Sequence, residues 1–234
     1  MKLTIIICAY NERNTILAAI EQAHLVDLGT GWEKEIIVVD NFSTDGTREL
    51  LQSVKLSDVG VIFHPRNLGK SASVLTGIAE ARGDYLVIFD SDLEYEAADL
   101  PRMLAHVVPG TTAAVFGSRT LGGRKIYQYA QNYWGVRFLT WVANLLFGGR
   151  LTDIAVGLKL VRTDIARSLN LSAHDFDLDF ELPCKLLKLG YAIPEVAIAY
   201  HPRTAAQGKG IVGRKAFRTG LRVLWILLRT RVRG

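Results

Sequence analysis

LTIIICAYNE, at residues 3–12, is a β-branched, apolar run that ends abruptly in Tyr10-Asn11-Glu12. Short apolar runs of this kind are typical of strands buried on both faces of a sheet. Residues 35–40, 59–64 and 85–90 share the pattern, and stretches with helical spacing separate the runs, over residues 14–25, 45–54 and 70–81. Strands that alternate with helices predict an α/β fold with a mostly parallel central sheet flanked by helices.

The second half of the chain carries weaker signals of the same kind. Residues 115–118 and 158–162 are predicted strands, and residues 179–189 and 214–232 are predicted helices. Thr44 is a possible N-cap for the second helix of the chain, because a threonine side chain can accept from the first free backbone N–H groups. We find no internal repeat and no linker rich in proline or serine.

The composition describes one globular domain. The chain has 234 residues, of which 49% are hydrophobic, and its 28 Lys and Arg slightly outnumber its 23 Asp and Glu. That length is below the ~250–300 residues at which single cores stop growing. Cys8 and Cys184 are the only cysteines, too few for a disulfide framework or a cysteine-rich zinc site. We therefore expect a protein of the reducing cytosol.

The apolar segments do not match the patterns of secretion or of membrane insertion. The run after Met1-Lys2 is followed at once by Asn11-Glu12-Arg13, unlike a secretory signal. The best transmembrane candidate, residues 138–149, lies between Arg137 and Arg150, whereas a spanning helix needs about 20 apolar residues. We expect a cytoplasmic protein that is at most peripheral to a membrane.

Basic residues are concentrated at the C-terminal end. Glu195 is the last acidic residue, and nine Lys and Arg residues follow it. On a helical wheel, Arg214, Lys215, Arg218, Arg222, Arg229 and Arg233 share one side, and Phe217, Val223, Leu224, Leu227 and Leu228 lie toward the other. This pattern favours an amphipathic helix on an anionic membrane surface. A helix docked on the protein body is the alternative, and no motif indicates a nucleic-acid partner.

Three carboxylates follow the predicted strand that ends at Asp90. If the backbone stays extended, its period of two points Asp90, Asp92 and Glu94 the same way. Clustered carboxylates repel one another unless a cation joins them, and Mg²⁺ or Mn²⁺ is held by such oxygens together with substrate phosphates. The sequence therefore predicts a divalent metal site here, with a solvated acidic surface as the alternative.

Polar and basic residues at other strand ends are weaker candidates. Asp40 is suited to accept from a nucleobase or a ribose, or to cap a turn, and the two interpretations are about equally supported. The full phosphate-loop motif is absent, since His64 stands where its first glycine belongs, but Lys70 at a helix start remains able to approach a phosphate. Arg119, Arg203 and Lys209 are candidates for contacts to a diphosphate.

Taken in order, several motifs resemble the family-2 glycosyltransferases of GT-A fold, in the branch that makes dolichyl- or polyprenyl-phosphate mannose or glucose. They are Ala9-Tyr10-Asn11-Glu12, Asp40 to Thr47, Asn67-Leu68-Gly69-Lys70, Asp90 to Tyr95, Gly117-Ser118-Arg119, Thr152-Asp153, Phe180-Glu181-Leu182 and Arg203 to Lys209. The resemblance covers residues 3 to about 215. It implies a GT-A domain over residues 1–210, followed by the basic helix over residues 211–234.

The resemblance also implies a reaction and a set of roles. A sugar would pass, with inversion, from a nucleotide-sugar donor to a polyprenyl phosphate at the cytosolic membrane face. Base and ribose would be held by Tyr10, Asn11, Glu12 and Asp40, the metal by Asp90, Asp92 and Glu94, and phosphates by Arg119, Arg203 and Lys209. Glu181 lies at the acceptor-side position and is the best candidate for a general base, should the acceptor be a hydroxyl.

Two alternatives remain open at this stage. The family usually has Asp-Asp-Gly-Ser where this chain has Asp40-Asn41-Phe42-Ser43. One alternative is a protein that binds sugar nucleotides without turnover, and Asn41 is its only motive. Another is a soluble transferase with a polysaccharide or protein hydroxyl as acceptor, which the basic amphipathic tail argues against.

Overall fold

The computed structural model describes residues 1–121, 130–172, 177–203 and 214–233. One sheet runs through this part of the chain, with its strands in the order β3-β2-β1-β4-β6-β5-β7. The strands are β1 (Lys2–Ala9), β2 (Glu33–Asp40), β3 (Val59–Phe63), β4 (Tyr85–Asp90), β5 (Ala114–Ser118), β6 (Lys159–Arg162) and β7 (Glu195–Ala197). Strands β1 to β4 pair in parallel, and β6 runs antiparallel between β4 and β5. The predicted mostly parallel sheet is therefore confirmed.

Helices cover the sheet. They are α1 (Ile16–Leu25), α2 (Thr47–Ser53), α3 (Lys70–Glu80), α4 (Leu100–Leu104), α5 (Ala130–Phe147), α6 (Thr163–Ser168), α7 (Leu178–Lys188) and α8 (Arg214–Arg233). The prediction of Thr44 as an N-cap is wrong, because Gly46, with φ of 100°, precedes the helix. Asp45 instead accepts from the Thr47 backbone N–H at 3.0 Å, so an aspartate turn begins this helix.

Strand β1 lies at the centre of the core. Ile5, Ile6 and Ile7 are fully buried, as expected for a strand covered on both faces. Helix α3 lies so close to this strand that a Cβ added at Gly77 would stand 2.4 Å from the Ile6 Cγ2. The lack of a side chain at Gly77 sets the distance between helix and sheet, and with it the position of Lys70 at the start of α3.

Helix α8 docks on the body, as in the alternative interpretation of the basic tail. Its residues Val223, Ile226 and Leu227 are buried, and the helix packs against α5 and α7. Lys188 donates to the carbonyls of Thr230 and Arg231 at 3.2 and 3.0 Å. The expectation that Val223 and Leu227 belong to a free apolar face is therefore wrong. The predicted domain boundary at residues 210/211 falls outside the described ranges.

None of the helices in the described ranges combines the length and apolar character that a bilayer crossing requires.

Replacing Gly77 tests how α3 is seated on the sheet. We expect Gly77→Ala to lower the free energy of unfolding by about 1–3 kcal/mol, because the new methyl group meets a β-branched side chain that has no room to move. Gly220→Ala is the matched control: Gly220 is also helical but has open space around its Cα, so alanine should stabilise by up to about 1 kcal/mol. Denaturant unfolding measures both. Equal stability of Gly77→Ala and wild type would contradict the close packing.

Candidate active site

The polar turns that follow β1, β2 and β4 lie together at one edge of the sheet. The Asn11 backbone N–H donates to Ser43 Oγ at 2.9 Å, and the Thr44 N–H donates to Asn11 Oδ1 at 2.8 Å. Ser91, after β4, donates its hydroxyl to the Cys8 carbonyl in β1 at 2.8 Å. These turns therefore converge at the carboxyl end of the sheet, where ligands of open α/β sheets bind.

Arg203 lies among the acidic residues of this edge. Its Nη2 is 2.9 Å from Asp92 Oδ2 and 2.9 Å from Glu12 Oε1. The backbone N–H of Arg203 donates to Glu94 Oε1 at 2.7 Å, and the Tyr200 hydroxyl donates to Glu94 Oε2 at 2.8 Å. The sequence singled out these acids and this arginine separately, and the structure brings them together.

The three acids after β4 do not point the same way. Leu93 has φ of 61°, in the left-handed region, so the extended backbone on which the period-two expectation rested ends at Asp90. Asp90 instead approaches Lys70 Nζ at 2.7 Å, while Asp92 and Glu94 approach Arg203. The prediction of three parallel carboxylates is wrong because turns replace the extended backbone directly after Asp90, over residues 91–95.

Burial and the neighbouring carboxylates Asp90 and Glu94 raise the pKa of Asp92 to about 6, and Arg203 lowers it only in part. An additional cation would stabilise the ionised form of such a carboxyl group.

The oxygen ligands at this edge fit a hard divalent ion. Within the described ranges, no group of three or more His, Cys, Asp or Glu side chains is arranged to hold a metal ion. Mg²⁺, however, commonly uses one or two carboxylates and completes its shell with water and substrate phosphates. Asp90 and Asp92 supply two such carboxylates, and after burial the charge of Asp90 is the next cause of the raised pKa of Asp92.

Lys70 belongs to a network of charged side chains at the same edge of the sheet. Its Nζ contacts Asp90 and, at 3.5 Å, Asp179, which in turn lies 3.5 Å from Lys159 Nζ. Burial alone would raise the pKa of Asp179, but the charges of Lys70 and Lys159 hold it below its usual value. Sequence reasoning missed Asp179, although it lies only two positions before Glu181 in the same acidic stretch.

Glycine at position 157 makes room for Asp90. A Cβ there would stand 2.4 Å from Asp90 Oδ2 and 2.9 Å from the Tyr95 ring. The Gly157 backbone N–H donates to the Tyr95 hydroxyl at 2.9 Å. This close approach explains why the loop before β6 has a glycine here.

Asp40 is used inside its own turn. Its side chain is fully buried, accepts from the Ser43 N–H at 3.3 Å and lies 3.2 Å from Arg48 Nη1. Of the two interpretations of Asp40, this geometry agrees with an aspartate that stabilises its own turn.

Asn41 is also buried, and its side chain forms hydrogen bonds with the loop before α3. Its Nδ2 donates to Asn67 Oδ1 at 2.8 Å, and its Oδ1 accepts from the Leu68 N–H at 2.9 Å. An aspartate has no hydrogen to donate to Asn67, so the asparagine matches its partner here.

Arg119 forms a buried pair. Its Nε and Nη2 donate to the two carboxylate oxygens of Asp153 at 2.7 and 2.8 Å, and its guanidinium lies 5.1 Å from the centre of the Tyr200 ring. Burial alone would raise the pKa of Asp153, but Arg119 holds it below its usual value. Arg119 therefore binds Asp153 through two nitrogen atoms. Its guanidinium also lies over the ring of Tyr200, the residue that donates to Glu94.

Glu181 is also occupied by protein groups. It is 5% exposed, lies 2.9 Å from Lys185 Nζ one helical turn along α7, and accepts from the Ser172 N–H at 3.0 Å. This geometry does not present a carboxylate to a bound acceptor. Of the other predicted residues, Tyr10 is 47% exposed beside the site, and Lys209 lies outside the described residues.

Comparison with known proteins shows the family to which the chain belongs. Residues 4–169 match the family Glycosyl transferase family 2. An undecaprenyl-phosphate mannosyltransferase of Micrococcus luteus is 29% identical over 86% of this chain and 88% of its own length. A dolichol-phosphate mannosyltransferase of Pyrococcus furiosus is 28% identical over 89% of this chain, which spans 59% of that protein.

A solved structure supports the fold. Glucosyl-3-phosphoglycerate synthase from Mycobacterium tuberculosis, crystallised with Mn²⁺, uridine diphosphate and phosphoglyceric acid, superposes with a TM-score of 0.72 at 20% identity, over 99% of this chain and 78% of that one. Because the family match extends over well more than half of the residues and includes the turns after β1, β2 and β4, the chain belongs to glycosyl transferase family 2 and is a glycosyltransferase.

Proposed function

We propose that this glycosyltransferase moves a sugar, with inversion, from a nucleotide-sugar donor to a polyprenyl phosphate at the cytosolic face of a membrane. The observation that carries the proposal is the acidic edge of the sheet, where Asp90 and Asp92 lie beside Lys70 and Arg203. Such an edge suits a metal-bound diphosphate. The two similar proteins named as mannosyltransferases of undecaprenyl and dolichol phosphate support this acceptor class.

Asp90 and Asp92 would hold a divalent cation, Mg²⁺ or Mn²⁺, and Glu94 lies next to them. When bound, the ion would offset charge on the diphosphate as it leaves the sugar. The related glucosyl-3-phosphoglycerate synthase was crystallised with Mn²⁺ and with Mg²⁺ alongside uridine diphosphate, which supports a divalent ion.

Arg203 would then change partners. In the structure its guanidinium bridges Glu12 and Asp92, so it already lies where the donor phosphates are expected. A diphosphate offers more negative charge than one carboxylate, and arginine binds it with two parallel hydrogen bonds. Lys209, in the segment that follows, would add a second cation to the same group.

The acceptor chemistry fits the burial of Glu181. A phosphate monoester has a second pKa of about 6, so it is largely dianionic at neutral pH and attacks without a general base. A hydroxyl acceptor needs a carboxylate positioned to remove its proton. Glu181 is engaged with Lys185 and Ser172, and this favours the phosphate over the hydroxyl acceptor.

Two helices supply a surface for the membrane. Helix α5 exposes Trp134, Phe138, Trp141 and Leu145, and α8 exposes Leu221, Trp225, Leu228 and Val232, each side chain more than half exposed. Both sets follow the spacing i, i+4, i+7, i+11, so each forms a stripe along its helix. The two helices pack against each other. The exposed stripe of α8, and not its docked face, would enter the membrane interface, where the exposed Arg218 would meet anionic headgroups.

Glu181→Gln tests the acceptor class. With polyprenyl phosphate as acceptor and labelled UDP- or GDP-sugars as donors, we expect this variant to lose less than about tenfold in kcat. A general base would contribute about 10²- to 10⁴-fold. Lys185→Met is the matched control, because it breaks the same ion pair without removing the carboxylate. A loss of about 10³-fold confined to Glu181→Gln, with unchanged substrate affinities, would favour a hydroxyl acceptor and contradict the proposal.

Exchange of two exposed tryptophans tests the membrane surface. We expect the double variant Trp141→Gln, Trp225→Gln to partition at least about tenfold less onto phosphatidylglycerol vesicles, because each ring would bury apolar area in the interface. Adsorption of the wild type should also weaken at high salt. Point variants are preferable to deletion of α8, whose other face is part of the core.

The control for this experiment is Leu25→Gln, Val108→Gln, which changes two residues that are also more than half exposed and lie on neither helix. It should bind vesicles like the wild type. Equal binding by the tryptophan variant and the wild type would leave the stripes of α5 and α8 without the proposed role.

A further inference from the structure

Phe42 has a backbone conformation that phenylalanine rarely adopts. Its φ is 67°, in the left-handed region, where residues other than glycine, asparagine and aspartate are uncommon. Its side chain is 42% exposed although it is large and apolar. The related motif described above has glycine at this position. Strain of this kind costs about 1–3 kcal/mol and is concentrated at functional sites, so an exposed ring held in this conformation calls for a function.

The ring is held in place by Arg48. The guanidinium of Arg48 lies 5.6 Å from the centre of the Phe42 ring and 4.9 Å from that of Phe63. The same guanidinium is fixed at its other end, 3.2 Å from the buried carboxylate of Asp40, and donates to the His64 carbonyl at 3.0 Å. Phe42 is therefore stacked on a rigid support and still leaves much of its surface to solvent.

A second exposed ring belongs to the neighbouring turn. Tyr10 is 47% exposed and follows β1, which pairs with β2 through Ala9 opposite Asp40. The Asn41 N–H donates to the Ala9 carbonyl at 2.8 Å, so the segments that carry Tyr10 and Phe42 are bonded directly to each other. The carboxylate predicted to bind a base, Asp40, is fully buried between these turns. The rings of Tyr10 and Phe42 remain exposed on the same two turns.

We propose that Phe42 is a nucleobase-binding residue of the donor site: its ring stacks on the base and, with Tyr10, forms an aromatic binding surface for it. Stacking is tolerant of base identity because every base has a π-face, so Phe42 would distinguish nucleotides from base-free phosphates more strongly than uracil from guanine. This inference rests on the proposed nucleotide-sugar donor and adds a contact that a glycine at this position has no side chain to make.

Binding of UDP, GDP and inorganic pyrophosphate, each with Mn²⁺, tests the proposal by calorimetry. We expect Phe42→Gly to bind UDP and GDP about tenfold more weakly, the size of effect that loss of base stacking produces, and to bind pyrophosphate like the wild type. Phe42→Tyr keeps the ring and should retain nucleotide affinity. Thermal unfolding of Phe42→Gly should occur at the same temperature or a higher one, because glycine adopts a positive φ without strain.

Asn170→Gly is the matched control for backbone relief, since Asn170 also has a positive φ, 46°, but lies in the loop after α6. It should leave nucleotide affinity unchanged. Unchanged UDP and GDP affinity in folded Phe42→Gly, or an equal loss for pyrophosphate, would overturn the role of Phe42 while the proposed donor class stands. Failure of the wild type to bind either nucleotide would overturn both.

Discussion

Carboxylates crowded at the carboxyl end of a buried sheet repel one another, and the site of this glycosyltransferase depends on the cations that offset the repulsion. Each cation comes from a different part of the chain. Lys70 reaches Asp90 from the start of α3, and Arg203 reaches Glu12 and Asp92 from the segment after β7. Burial and the charges of Asp90 and Glu94 still raise the pKa of Asp92, and Arg203 lowers it only in part. The edge therefore retains an attraction for further positive charge, which a metal-bound donor would satisfy.

The strands were predicted well where burial alone decides them. Residues 85–90 form β4 with the predicted bounds, because a strand covered on both faces leaves a continuous apolar run. Strand β7, Glu195–Ala197, was missed since three residues give no periodicity. The antiparallel direction of β6 was also beyond the sequence, because its pairing with β4 depends on where a long connection returns to the sheet.

The sequence indicated which residues lie at the site better than it indicated which residues they contact. The polar residues that end β1, β2 and β4 were singled out one by one, and the structure places them together. Arg119 was expected to face a phosphate but faces Asp153, which is 34 positions away in the sequence, and local patterns carry no information about such a pair. Phe42 shows the opposite case, where a departure from a familiar motif was visible in the sequence and only the backbone angle gave it a physical meaning.

Asp92 is proposed to belong to a site where a divalent ion and the donor diphosphate bind together. Calorimetric titration of UDP and GDP, with and without Mn²⁺, into wild type and Asp92→Asn tests it most directly. We expect Mn²⁺ to strengthen nucleotide binding by the wild type at least about tenfold, through its interaction with the diphosphate, and to have no such effect on a variant that circular dichroism shows to be folded. An unchanged Mn²⁺ dependence in folded Asp92→Asn would place the metal elsewhere and contradict the account.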